Sequence, residues 1–159
     1  MHSRRGLFVV LGALPLILLL SSPAAATGPP ASATGSFTQV GFTSSNERVV
    51  GGVFMFDFTE TDVLTGTLTG TSVVEGSCVV RPTGTASCQG LETFTGTVDG
   101  RSGTAEFWNV FEVDGATGSF SGRFTALGGT GELASLQGQG TFEGTGTTGT
   151  YALRITFAP

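Results

Sequence analysis

Phe107-Trp108-Asn109-Val110-Phe111-Glu112-Val113, followed by Asp114-Gly115 and then by Phe120-Ser121-Gly122-Arg123-Phe124-Thr125-Ala126, is the stretch that decides the fold class. Phe107, Asn109, Phe111 and Val113 fall on one face and Trp108, Val110 and Glu112 on the other, which is the period of two that belongs to a β-strand. Phe120, Gly122, Phe124 and Ala126 oppose Ser121, Arg123 and Thr125 in the same way. Asp-Gly between two alternating runs is a hairpin signal. Working outward, the pattern repeats. Phe54, Phe56 and Phe58 share a face, Leu64, Gly66, Leu68 and Gly70 alternate with threonines, and Tyr151, Leu153, Ile155 and Phe157 oppose Ala152, Arg154 and Thr156. Composition agrees with an all-β chain. Of 159 residues, 26 are glycine and 25 threonine, and lysine is absent, so long helices are excluded.

The N-terminus has a different character. Arg4-Arg5, an apolar run from Leu7 to Leu20, and Ala24-Ala25-Ala26 have the layout of a secretory signal peptide. Fourteen apolar residues fall short of the ~20 that cross a bilayer. The expected organisation is a signal peptide at 1–26, a flexible mature N-terminus at 27–34 and one β-barrel domain at 35–159. Cleavage after Ala26 is the first choice and after Ala33 the second. Both the general secretory and the twin-arginine routes fit Ser3-Arg4-Arg5-Gly6-Leu7-Phe8. The expected location is therefore extracellular. With the leader gone, two of seven arginines and the single His2 are lost, leaving five Arg against 12 acids, a net charge of −7. Such a chain has no electrostatic reason to bind nucleic acid or an anionic membrane surface.

Cys78 and Cys88 are symmetric about Thr83 in Arg81-Pro82-Thr83-Gly84, a turn signal between two short runs. A hairpin turning there sets them opposite one another, and in an oxidising compartment a cross-strand disulfide follows. An apolar residue, a small or polar one, and then glycine recur as Leu68-Thr69-Gly70, Phe94-Thr95-Gly96, Phe120-Ser121-Gly122 and Phe142-Glu143-Gly144, about one hairpin apart. Further turn signals stand at Asp99-Gly100, Gly128-Gly129 and Gly144 to Gly149. Eight or nine strands result. A closed antiparallel eight-stranded barrel is the simplest arrangement, because closure removes exposed strand edges; a β-sandwich is the alternative.

The segment from Phe120-Ser121-Gly122-Arg123-Phe124 through Gly128-Gly129-Thr130-Gly131 to Leu136-Gln137-Gly138 resembles one in an uncharacterised bacterial family of allene oxide cyclase-like (dirigent-like) barrels. Phe94-Thr95-Gly96-Thr97-Val98-Asp99-Gly100-Arg101 is similar to the same family. The resemblance implies a calycin-like eight-stranded barrel with a central cavity, and a homo-oligomer. In the plant cyclases it would bring a carboxylate from the first strand into the cavity. The matching strand, Ser36-Phe37-Thr38-Gln39-Val40, carries none.

Without a mature histidine or any lysine there is no Ser-His-Asp triad, imidazole base or Schiff base. Paired cysteines and no histidine leave no zinc ligand set, and no loop has calcium-binding spacing, so neither metal nor cofactor is expected. Gly129-Thr130-Gly131-Glu132-Leu133-Ala134 fits a dinucleotide pattern but has no room for the required helix, and reads as a turn with one helical twist. Glu106 and Glu112 share a face, yet six strand residues separate them by ~20 Å, too far for paired-acid glycoside chemistry. Trp108 and Tyr151 join a large apolar body to a polar tip. With Phe107, Asn109 and Phe111 they are the expected contacts for a small apolar ligand. The expected function is ligand binding within the barrel. A cyclase-type lyase or isomerase, and a structural or protein-interaction barrel, are the alternatives.

Overall fold

A computed structural model describes residues 30–158, so the expected signal peptide at 1–26 lies outside the described residues. Eight strands follow one another: β1 Ala31–Val50, β2 Val53–Gly66, β3 Leu68–Val80, β4 Thr85–Val98, β5 Arg101–Asp114, β6 Ser119–Gly131, β7 Leu136–Thr145 and β8 Thr148–Phe157. Every strand pairs antiparallel with its neighbour in sequence, and β1 pairs with β8 from Ala31↔Ile155 to Thr38↔Thr148, which closes the sheet into a ring. No helix is present among the described residues. The sequence expectation of an eight-stranded antiparallel barrel holds.

Three local readings need correction. The chain from 31 to 34 is not a flexible arm, because it pairs with β8 and buries Ala33 completely. The alternating run Leu64 to Gly70 is not one strand: Gly66, at φ 106°, turns the chain, and the alternation resumes in phase on β3. Gly128-Gly129 is not a turn but part of β6, at a bulge where Glu106 pairs with Gly128 and Phe107 with Ala126. The actual turn follows at Glu132 to Ser135, where the Leu133 and Ala134 amides donate three residues back to Thr130 and Gly131. That is the single helical twist expected in place of a dinucleotide site.

The barrel has two unlike ends. Leu64, Leu68, Phe94, Val98, Leu133 and Leu136, with residues of β8, pack a core that fills one end. Tight approach of strands governs it. Gly70 and Gly96 are paired across β3 and β4, and the Phe94 ring covers both, so a Cβ at Gly96 would meet that ring at 2.9 Å. The Tyr151 hydroxyl accepts from the Leu68 amide at 2.8 Å, and its own proton lies between the Thr65 and Leu68 carbonyl oxygens, 3.0 and 3.1 Å away. It thereby clamps the β2–β3 turn to β8. At the other end a second, smaller apolar group surrounds the Cys78–Cys88 disulfide. Three turns there are laced together: Gly115 N donates to Gly84 O and Gly146 N to Gly118 O, each at 3.0 Å.

Candidate functional site

The period-two faces now acquire a direction. The phenylalanine-bearing face of β2, the Cys78 face of β3, the Cys88 face of β4 and the Phe107 face of β5 all point inward. They enclose a cavity of about 480 Å³ whose mouth lies at the end of the laced turns. Ligand cavities run from about 300 to 1,000 Å³, so the volume suits a small molecule. Phe42, Phe56, Phe58, Phe111 and Phe120 line it together with the disulfide. The rings pack on one another: Phe58 meets Phe111 edge-on at 6.1 Å, and Phe42 stacks on Phe58 at 6.0 Å.

Halfway down, the wall changes from apolar to acidic. Along β2 the inward face runs Phe56, Phe58, Glu60, Asp62, Leu64. Glu60 pairs with Val74 on β3, and Val74 pairs with Glu92 on β4, so the two glutamates flank one valine at the same depth. Asp62 sits one inward position deeper, opposite Gln39 on β1 and Ser72 on β3. Asn109 on β5 donates its amide N–H to Glu92 Oε2 at 2.9 Å. The cavity lining contains no arginine, lysine or histidine. Burial, together with the neighbouring charges of Glu60 and Glu92, pushes the Asp62 pKa up to about 8. Burial also raises Glu92, against hydrogen bonds from Asn109 and Ser72, and raises Glu60, against hydrogen bonding by Asp62 and Gln39. At neutral pH the belt therefore holds a proton, shared among the coupled acids.

Phe107, Asn109, Phe111 and Tyr151 all line this cavity, as do Cys78 and Cys88. Trp108 does not. It stands on the outer wall, 41% exposed, because alternation sends it away from Phe107 and Asn109. Glu106 and Glu112 are on that outer face too, Glu112 lying 4.0 Å from Arg81. The Tyr151 hydroxyl is fully used by backbone, and burial raises its pKa, so it serves as a neutral clamp. Glu60, Asp62 and Glu92 were missed by the sequence reading. The signal was present: the inward series Phe54, Phe56, Phe58 continues to Glu60 and Asp62 before Leu64, and Glu92 stands two before Phe94. Among the described residues no three His, Cys, Asp or Glu side chains come together to hold a metal ion.

The structure of a protein of unknown function from the DUF3224 family, from Shewanella oneidensis MR-1, has the same fold, with a TM-score of 0.69 and 23% identity over 82% of this chain and 99% of that one. At that identity the likeness concerns the fold. Among curated proteins none matches the chain. The model of the family described as proteins of unknown function (DUF3224) matches residues 32–155, and the chain belongs to that family.

Proposed function

We propose that the protein is an exported barrel that binds a small, largely apolar ligand in its cavity. The observation that carries this reading is the cavity itself, about 480 Å³ and walled by phenylalanines, with a packed core beneath it. Apolar walls with a few convergent polar groups are the usual make-up of a small-molecule site. Export is supported by the Cys78–Cys88 disulfide, which persists in oxidising compartments, and by the leader-like N-terminus. Titration with a fluorescent long-chain alcohol tests it. Saturable one-to-one binding, lost when Ala86→Phe narrows the cavity while the circular dichroism stays unchanged, is the expected result. Binding that does not saturate, or that ignores this substitution, would refute it.

A cyclase-type lyase or isomerase, as the allene oxide cyclase resemblance implies, is the second reading. One observation favours it: Asp62 is buried beside Glu60 in the wall of a largely apolar cavity, where burial pushes its pKa up toward the range of a general acid. Its acids come from β2 and β4 rather than from the first strand.

A further inference from the structure

The cavity is unbalanced in charge and in hydrogen bonding. Three carboxyl groups line the middle of the cavity, and no cationic side chain lines the space around them. Two polar atoms there make no hydrogen bond, Asp62 Oδ1 and Asn109 Oδ1, while the Ser72 hydroxyl acts on Glu92. Both residues are only 5% exposed. Buried polar atoms left unpaired destabilise a fold, so a retained group of them points to a partner. The chemistry of that partner can be read from the atoms. Asn109 spends its N–H on Glu92, which leaves its carbonyl oxygen as an acceptor. Glu60 and Glu92 offer further acceptors, as does Asp62 once its proton leaves. The belt is rich in acceptors and lacks positive charge, and above it the walls are aromatic.

We infer that the cavity takes an amphipathic amine, with its ammonium group seated among Glu60, Asp62, Glu92 and Asn109 and its hydrocarbon part between the phenylalanines of the mouth. This rests on the ligand-binding reading above and narrows its ligand class. An ammonium carries three N–H donors and the missing charge, and aromatic faces such as those of Phe58 and Phe111 attract cations as well as hydrocarbon. A carboxylate ligand would meet like charge. A neutral alcohol would fill the mouth but leave the belt unbalanced. Seating the ammonium displaces the proton of the belt to solvent, so binding releases a proton. The groups facing Asp62 are Glu60 on β2, Gln39 on β1, Ser72 on β3 and Glu92 on β4, and among the described residues the titratable ones of these are the two glutamates.

The test uses the oxidised full-length protein and three probes with one eight-carbon tail: octylammonium, 1-octanol and octanoate. Each displaces the fluorescent alcohol, and calorimetry in two buffers of different ionisation enthalpy counts protons. The expected order is octylammonium tighter than octanol by about tenfold or more, the scale of one satisfied charged hydrogen bond, with octanoate weakest and protons released by the amine alone. Asp62→Asn and Glu92→Gln should each remove most of the amine preference while octanol affinity stays within about twofold. Glu60→Gln provides a third variant should either of these fold poorly. Octanol and amine of equal affinity, or an amine preference that survives all three substitutions, overturns the inference and leaves the ligand-binding reading standing. Failure of all three probes to bind overturns both.

Discussion

Raising the pH from 5 to 9 should destabilise this protein, and Asp62 should account for much of the loss. Its carboxyl titrates at about 8 in the folded barrel against 3.8 for a free aspartate, so the folded state holds a proton that the unfolded chain gives up. For a group raised in this way the stabilisation is complete below the unfolded pKa. It is lost progressively up to the folded pKa and is constant above it. From pH 5 up to the folded value is about three units, which at about 1.4 kcal/mol each sets a ceiling near 4 kcal/mol for this window. The mouth admits solvent and the charge is shared with Glu60 and Glu92, so about 2–3 kcal/mol is the expected loss. Glu60 and Glu92 are raised as well and add to the same slope. Asp114, held low by the Ala116 and Thr117 amides, acts in the opposite sense, but only below its unfolded pKa and so outside this window. Urea unfolding followed by far-UV circular dichroism at each pH measures the effect, with a constant m-value as the two-state check. Asp62→Asn is the control, since the amide cannot ionise. Its stability curve should be flatter and should cross the wild-type curve, lying above it at pH 9. A wild-type profile that is flat from pH 5 to 9, or an Asp62→Asn profile parallel to wild type, would show that the belt does not hold a buried proton.

Three further outcomes follow from the same geometry. Tyr151→Phe leaves the buried Leu68 amide without its acceptor and should cost about 1–3 kcal/mol in urea unfolding; a loss below about 0.5 kcal/mol contradicts the clamp. Replacing both Cys78 and Cys88 by alanine reopens a loop with a separation of ten residues and should cost about 3 kcal/mol, matched by adding reductant to the wild type. Equal stability of the oxidised and reduced forms contradicts it. Trp108→Ala should change the affinity for the fluorescent alcohol by less than about twofold, because exposed outer-wall positions touch nothing inside; a larger loss would place part of the site on the outer wall.

The fold class was legible because its signals are local. Alternation at period two marks each strand, and Asp99-Gly100, Asp114-Gly115 and Pro82-Thr83-Gly84 sit at real hairpins. Which face turns inward was not legible, and the reason lies in particular side chains. Val63, Val73, Leu91, Trp108 and Leu127 are exposed on the outer wall, while Glu60, Asp62 and Glu92 line the interior. Polarity thus misleads at the positions that distinguish this barrel. Alternation also ran unbroken through Gly66, because β3 starts on the phase in which β2 stops. The Gly128-Gly129 pair carries the composition of a turn, yet only the long-range pairing of β5 with β6 makes it a bulge.

The disulfide acquires a second role once the belt is located. Glu60 and Glu92 meet only because both pair, directly or across one strand, at the level of Val74. A two-residue slip between β3 and β4 keeps every side chain on its own face, so the apolar pattern does little to oppose it. Such a slip would carry Glu92 about 7 Å along the barrel, away from Glu60 and Asp62. Cys78 and Cys88 are themselves a register pair four residues from Val74 and Glu92, and bonding them admits one alignment only. The two cysteines therefore hold the acids at a common depth as well as closing the hairpin. In a barrel this rich in threonine and glycine, where many registers look alike, that alignment is what keeps Glu92 beside Glu60 and Asp62.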